Sequence, residues 1–323
     1  MRQYKNLKEI GEAYIAEKQA LGLKFTKNVQ MMKRFLKFAE ENDYKAPELS
    51  KELSELWCAK TPNETESNRQ HRVSFLRGLA EYMIRMGYPA YVMPHKISPY
   101  QRNYQPYIFS NEELSRIFKA SESLRASDKY PYFSCQISTI IKLLYSTGMR
   151  TGEVLFLKKE NVDLHTGRLK VIGAKFNKER FIPLDMTMQL LLQDYTKQMA
   201  CYAQWNNSVF FFVNSNGERH KDIYHSFRQV LKSAGISHGG RGKGPRVHDL
   251  RHTYAVHVLR KWVREGRDLT TALPYLSVYM GHAGIRSSQY YLRLTSELYP
   301  DIIASLEQNY GWLIPEVYDY ETD

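Results

Sequence analysis

At 323 residues and 43% hydrophobic content the chain has room for two packed domains. Its net charge of +12 is shared: residues 1–106 hold 18 Lys+Arg against 12 Asp+Glu and the remainder 28 against 22, so each part carries +6, which favours a long polyanion such as DNA touching both, or else a merely soluble basic protein. Three scattered cysteines (Cys58, Cys135, Cys201) without a Cys-x-x-Cys argue against a disulfide framework or zinc knuckle and for a reducing cytoplasm, and no long apolar run suggests a membrane span or signal peptide.

Residues 1–88 read as a helical module. Ile10, Tyr14 and Ile15 give an amphipathic stretch. Thr26 is placed to cap a second helix carrying Val29, Met32, Phe35, Leu36 and Phe38. Ser50 precedes a short third with Leu53, Leu56 and Trp57. A long fourth carries Val73, Leu76, Leu79 and Met83 and stops at Gly87. Its opening turns bear Arg69, His71 and Arg72, with Arg77 further along: a solvated charged face, or phosphate contacts along a duplex. Residues 89–109 hold Pro89, Pro94, Pro99 and Pro106, which disfavour helix, and read as an extended basic linker.

A second domain, 110–309, opens with Ser110-Asn-Glu-Glu113, a capping box. Residues 131–147 form an apolar, buried helix ended by Gly148 as a left-handed cap. Arg150 follows at once, with Glu153 three residues on to pair with an arginine. Asn161 to Leu184 reads as strand, turn, strand, with Lys175 and Lys178 between the last two strands. A lysine on a hairpin tip can reach into a site and protonate a leaving alkoxide; a solvated charge is the plain alternative. Residues 186–203 read as amphipathic helix, Val209–Val213 as a short buried strand, and Tyr224 to Leu231 as a helix ending near Gly235. The basic, glycine-rich 239–245 loop lacks the spacing of a nucleotide-binding P-loop and reads as a mobile segment near DNA.

The densest chemistry lies in residues 246–294. His248 and Arg251 are three apart, on one face of a helix. Gly281 ends a later helix and leaves His282 at the turn; Tyr290 and Tyr291 follow. An arginine fork suits the non-bridging oxygens of a phosphodiester, a histidine can move a proton, and a phenol of pKa near ~10 needs that help to attack. His248 and His252 also stand at i and i+4, as in zinc hydrolases. An aspartate in place of the glutamate base and a like-charged Arg251 on the same face count against zinc, so no metal site is expected, and His252 and His257 read as packing or capping residues.

His248-x-x-Arg251, Gly281-His282 and a tyrosine nine positions after the histidine together resemble the tyrosine recombinase (phage integrase) family. Thr147-Gly-Met-Arg150-x-x-Glu153 is similar to its first-arginine motif. The resemblance implies a mainly α fold with a small antiparallel β-sheet, as a helical N-terminal core-binding domain plus a catalytic domain. It implies that Arg150, Arg251 and His282 bind the scissile phosphate, that His248 assists as acid or base, that Lys175 protonates the leaving 5′-oxygen with Lys178 as competitor, and that Tyr291 rather than Tyr290 attacks. Here Ala174 is an extra residue before Lys175, Phe176 replaces a glycine, and Arg293 stands where many members have histidine. The implied activity is site-specific recombination or integration of DNA, serving a mobile element, without a cofactor because the phosphotyrosine retains the bond energy. The implied partners are double-stranded DNA and further copies in a tetramer, with the 310–323 tail docking on a neighbour, in a bacterial or phage context at the nucleoid. A type IB topoisomerase-like enzyme or a DNA-binding protein with a dead site are the alternatives.

Overall fold

The computed structural model describes residues 4–23, 25–95, 105–172, 179–240, 244–282 and 286–298. The chain divides into two compact units, Met1–Asn103 and Tyr104–Asp323.

The described residues of the first unit form four helices: α1 (Leu7–Ala20), α2 (Thr26–Glu41), α3 (Lys51–Cys58) and α4 (Glu66–Arg85). Asn6, Ser50 and Thr65 cap α1, α3 and α4, each side chain accepting from the backbone N–H three residues on. Thr26, expected as the cap of α2, is instead its first helical residue. Phe25 precedes it in a left-handed conformation at φ 47° with no side-chain cap. The core joins Ile10 and Tyr14 of α1, Met32 and Phe35 of α2, Leu53 and Trp57 of α3, and Leu76, Leu79 and Met83 of α4. Each such side chain withdrawn from water stabilises the unit by about 1.5–3 kcal/mol. The segment after α4 stays with this core: Leu49 bonds to Pro89 and Tyr91 through its backbone, and Met93 is buried. The arginines of α4 are not an open row. Arg69 donates to the Cys58 carbonyl, and Arg72 to the carbonyls of Trp57 and Ala59 and to Glu64. Both close the C-terminus of α3, whose last carbonyls lack helical partners.

The second unit is mainly α with one small sheet. Its helices are α5 (Asn111–Glu122), α6 (Phe133–Thr147), α7 (Thr151–Leu155), α8 (Met186–Met199), α9 (Ala203–Asn206), α10 (Tyr224–Ser233), α11 (Asp249–Arg264), α12 (Leu269–Met280) and α13 (Arg286–Leu298). The strands β1 (Val162–Asp163), β2 (Arg168–Val171) and β3 (Arg180–Pro183) pair antiparallel in that order, with Leu169 opposite Val162 and Ile182. The Ser110 capping box is present on α5, and Gly148 ends α6 at φ 59°. A side chain there would also collide with the Tyr254 ring, so close approach as well as backbone angle calls for glycine. Ile137, Ile140, Ile141 and Leu144 of α6 centre a core that takes in Phe109, Leu169, Ile182, Leu192, Phe212, Phe227 and Leu250. A second cluster joins Val256 and Leu259 of α11, Leu273 and Leu276 of α12, and Leu292 of α13.

Two elements differ from the expectation. Residues 209–213 form no ladder strand: Phe210 and Val213 make only isolated bridges, to Lys158 and Arg219. Beside backbone bonds from Lys159 N–H to the Val209 carbonyl and from Phe211 N–H to the Leu157 carbonyl, buried side chains satisfy this stretch. Trp205 Nε1 and the Tyr195 hydroxyl donate to the Phe211 carbonyl, and Gln136 Oε1 accepts from Val213 N–H. Helix α8 stops at Met199, and α9 is a separate turn. The tyrosine pair lies inside α13, one helix through Leu298; the remainder of the helix expected over 296–309, and the 310–323 tail, lie outside the described residues.

Candidate active site

Five of the six residues singled out in the sequence come together where the ends of α6, α11 and α12 meet α13. The sixth, Lys175, and its competitor Lys178 lie outside the described residues.

Arg251 is the most deeply held. It is 3% exposed, on the first turn of α11, and its two terminal nitrogens donate to the Gly148 carbonyl at 2.6 Å and the Met280 carbonyl at 2.7 Å. These are the C-terminal ends of α6 and α12, where carbonyl dipoles favour a cation. Burial lowers its pKa to about 10, so it remains a cation at neutral pH.

Arg150 precedes α7. Its backbone N–H and its guanidinium both bond Glu153, at 2.9 and 3.0 Å, and its other terminal nitrogen donates to the Gly281 carbonyl at 2.7 Å. Glu153 is shared. Arg180, at the start of β3, meets it through two parallel bonds of 2.9 and 2.7 Å while its Nε donates to the Tyr279 carbonyl. Burial raises the Glu153 pKa, but the bond and charge of Arg180, with Arg150 beside it, outweigh that and hold it below the usual carboxylate value. Arg180 thus fastens the sheet to the end of α12. In the sequence its one signal is its place next to the run Phe181-Ile-Pro-Leu184.

Two histidines touch the phenol and a third packs against one of them. Tyr291 is 4% exposed, and its hydroxyl lies 2.8 Å from His252 Nδ1. The His282 ring stacks on the Tyr291 ring, centroids 5.8 Å apart and 22° between planes, and its Nδ1 is 2.8 Å from the buried Ser288 hydroxyl. His248 sits at the N-terminus of α11, exposed at the rim, edge-to-face with His252 at 4.8 Å. Desolvation within the surrounding protein, then Arg251 and Arg150, lowers the His248 pKa to about 4. Desolvation and the same cations lower His282 to about 3, and desolvation with His248 and Arg251 brings His252 to about 3. All three are neutral at physiological pH. Burial raises the Tyr291 pKa, opposed by the nearby charges of Arg251 and Arg150.

His252 therefore has a different place from the packing or capping role expected of it: it faces the phenol. The spacing carries the reason only in hindsight, since i+1 from Arg251 points about 100° away from it on a helix, and that direction is where α13 lies. His257, by contrast, packs and bonds with Tyr145. Tyr290 is half-buried, its ring 6.1 Å from that of Tyr291.

Fold and site together define a phosphoryl-transfer enzyme of the tyrosine type. Residues 108–297 match the model of the phage integrase family, and since that is more than half of the chain, the protein belongs to this family of tyrosine recombinases. Two putative integrase/recombinases of Sinorhizobium fredii (strain NBRC 101917 / NGR234) are similar along nearly their whole length. One, y4rB, is 28% identical over 93% of this chain and 96% of its own; the other, y4rE, is 31% identical over 87% and 89%. Among solved structures the Tn1549 transposon integrase, in complex with a circular intermediate DNA, shares the fold, with a TM-score of 0.61 at 15% identity over 87% of this chain and 94% of that one.

Proposed function

We propose that the protein is a site-specific DNA recombinase that cuts and rejoins double-stranded DNA through a 3′-phosphotyrosyl link at Tyr291. The observation that carries this reading is the buried Tyr291 hydroxyl set among Arg251, His252 and His282. Arg150, Arg251 and His282 hold the scissile phosphate and stabilise the charge that builds on it. His248 serves as acid or base from the rim, and Lys175, or Lys178, protonates the departing 5′-oxygen. A 5′-hydroxyl from a partner duplex then attacks the phosphotyrosine and releases Tyr291, so no nucleotide cofactor drives resealing. The first unit serves as the core-binding DNA clamp and the second as the catalytic domain, each bringing +6 to a polyanion. The S. fredii relatives carry the name integrase/recombinase with the qualifier putative, and the Tn1549 protein is a transposon integrase with DNA bound, which supports a mobile-element role. A tetramer on paired sites supplies the partner duplex.

The test uses a pool of nicked duplexes of randomised sequence, which lose a short fragment on cleavage and so trap the covalent complex. Incubation with EDTA and without ATP is expected to yield protein–DNA adducts whose peptide maps to Tyr291 and whose DNA converges on one sequence. An adduct at another residue, or cleavage only with a divalent ion, contradicts the reading.

A further inference from the structure

When the Tyr291 oxygen attacks phosphorus its proton must go elsewhere. We infer that His252 takes that proton through Nδ1 during cleavage and returns it on resealing. The inference rests on the reading of Tyr291 as nucleophile. Three observations carry it. The Tyr291 hydroxyl lies 2.8 Å from His252 Nδ1, a full hydrogen bond. The charge of Arg251 favours the ionised form of that phenol, so the oxygen is stabilised once its proton has left. The other two histidines are aimed otherwise. His282 lies flat on the phenol ring with Nδ1 on Ser288, and His248 stands at the exposed rim.

The geometry is also built to persist. His252 follows Arg251 directly on α11, so the helix that presents the phosphate clamp presents the base as well. Its ring is wedged between His248, at 4.8 Å, and Tyr291, at 5.5 Å. The charged and titratable groups facing it are His248 and Arg251 on α11, His282 at the end of α12, and Tyr291 on α13. Their cationic field, with burial, keeps the resting imidazole neutral. A phosphodiester drawn between the arginines adds negative charge to that field and raises the basicity of His252 when the attack occurs. In the step, the Tyr291 Oη–P bond forms as the P–O5′ bond breaks. The phenolic proton passes to His252, and the leaving 5′-oxygen takes a proton from a separate donor, the hairpin lysine or water. Religation runs the same transfers backwards.

The probe is a nicked duplex captured by the wild-type protein, made once with the ordinary phosphodiester and once with sulfur in place of the bridging 5′-oxygen. A thiolate leaves without needing a proton, so sulfur relieves the loss of a leaving-group acid and does nothing for the loss of a base at the nucleophile. His252→Asn keeps an amide acceptor near the phenol that cannot be protonated, and His252→Gln is the second variant should the first not fold. The expected result is duplex binding at wild-type affinity, with adduct formation slowed about 100-fold at pH 7 on both duplexes. The rate should climb as pH rises towards the phenol pKa, where solvent removes the proton instead. A Lys175→Ala, Lys178→Ala double variant should recover on the sulfur duplex. Wild-type rates from the His252 variants, a loss independent of pH, or recovery on sulfur overturns the assignment. If the wild-type protein traps DNA at a residue other than Tyr291, or traps none, the nucleophile reading itself falls.

Discussion

In the first unit Arg72 spans the end of α3, donating to the carbonyls of Trp57 and Ala59, and on its other side it meets Glu64. In the second unit Arg251 spans the ends of α6 and α12, donating to the carbonyls of Gly148 and Met280. Both arginines tie off helix C-termini, and both are largely buried. The difference is the counter-charge. A carboxylate neutralises Arg72, which is then a peg. Carbonyl dipoles hold Arg251 without cancelling its charge, and neutral histidines and a phenol gather round it. The Arg251 charge is therefore left available to an anion, whereas that of Arg72 is spent inside the fold.

That contrast can be attacked at several points. The largest effect is expected from Tyr291→Phe, which removes one hydroxyl. Duplex binding should persist while the covalent adduct disappears, a loss on the order of 10⁴-fold or more; Tyr290→Phe should still form the adduct, and peptide mapping distinguishes the two. Next comes Arg251→Lys. A single ammonium cannot span two helix ends as the fork does, so single-turnover cleavage should fall about 100- to 1,000-fold, with a lower melting temperature as well. If Arg251→Lys instead behaves like a surface change, the comparison with Arg72 fails.

Glu153→Gln should then cost about 2–4 kcal/mol of stability, because Arg180 and Arg150 lose their shared carboxylate. The Glu153 pKa is depressed in the fold, so its contribution is present above the unfolded carboxylate value and vanishes as pH falls through the folded one. The histidines act in the same direction in a higher window. Unfolded they titrate near ~6.5; folded, His248 titrates at about 4 and His252 and His282 at about 3. Their neutral state is matched above pH 6.5, and stability drains as pH falls from there towards 3. Thermal melts from pH 7 to pH 4 should show a steep decline that a His252→Asn, His282→Asn double variant flattens. The smallest effect is Arg72→Ala: about 1–2 kcal/mol of stability, read by denaturant titration, with the cleavage rate of the folded protein unchanged.

The arginine and histidine positions were legible because their motifs carry local geometry. Gly148 before Arg150 and Gly281 before His282 each mark a helix end in the sequence, and both end a helix at positive φ in the structure. What escaped required the third dimension. Nothing in the local pattern says that Arg180 reaches Glu153 across 27 positions or that His252 meets Tyr291 across 39. Arg69 and Arg72 show the reverse failure, since a basic cluster at a helix start gives no hint that the end of α3 lies beneath it. Residues 209–213 read as a strand for the same reason: apolarity reports burial, while the partner of the backbone is decided by Gln136, Tyr195 and Trp205 from elsewhere in the chain.

The double bond of Arg251 to Gly148 and Met280 has a consequence for descent as well as for chemistry. A lineage of this gene released from selection for cutting DNA would still be selected for making a protein that folds. Tyr291→Phe is then free, since it leaves the packing of α13 intact, whereas loss of Arg251 unfastens two helices at once. With the proposed roles, decay has a preferred order: Tyr291 is lost early, Arg251 late. A silent descendant should therefore keep the arginine long after its tyrosine has gone, and the presence of the arginine alone is poor evidence that a copy still cuts.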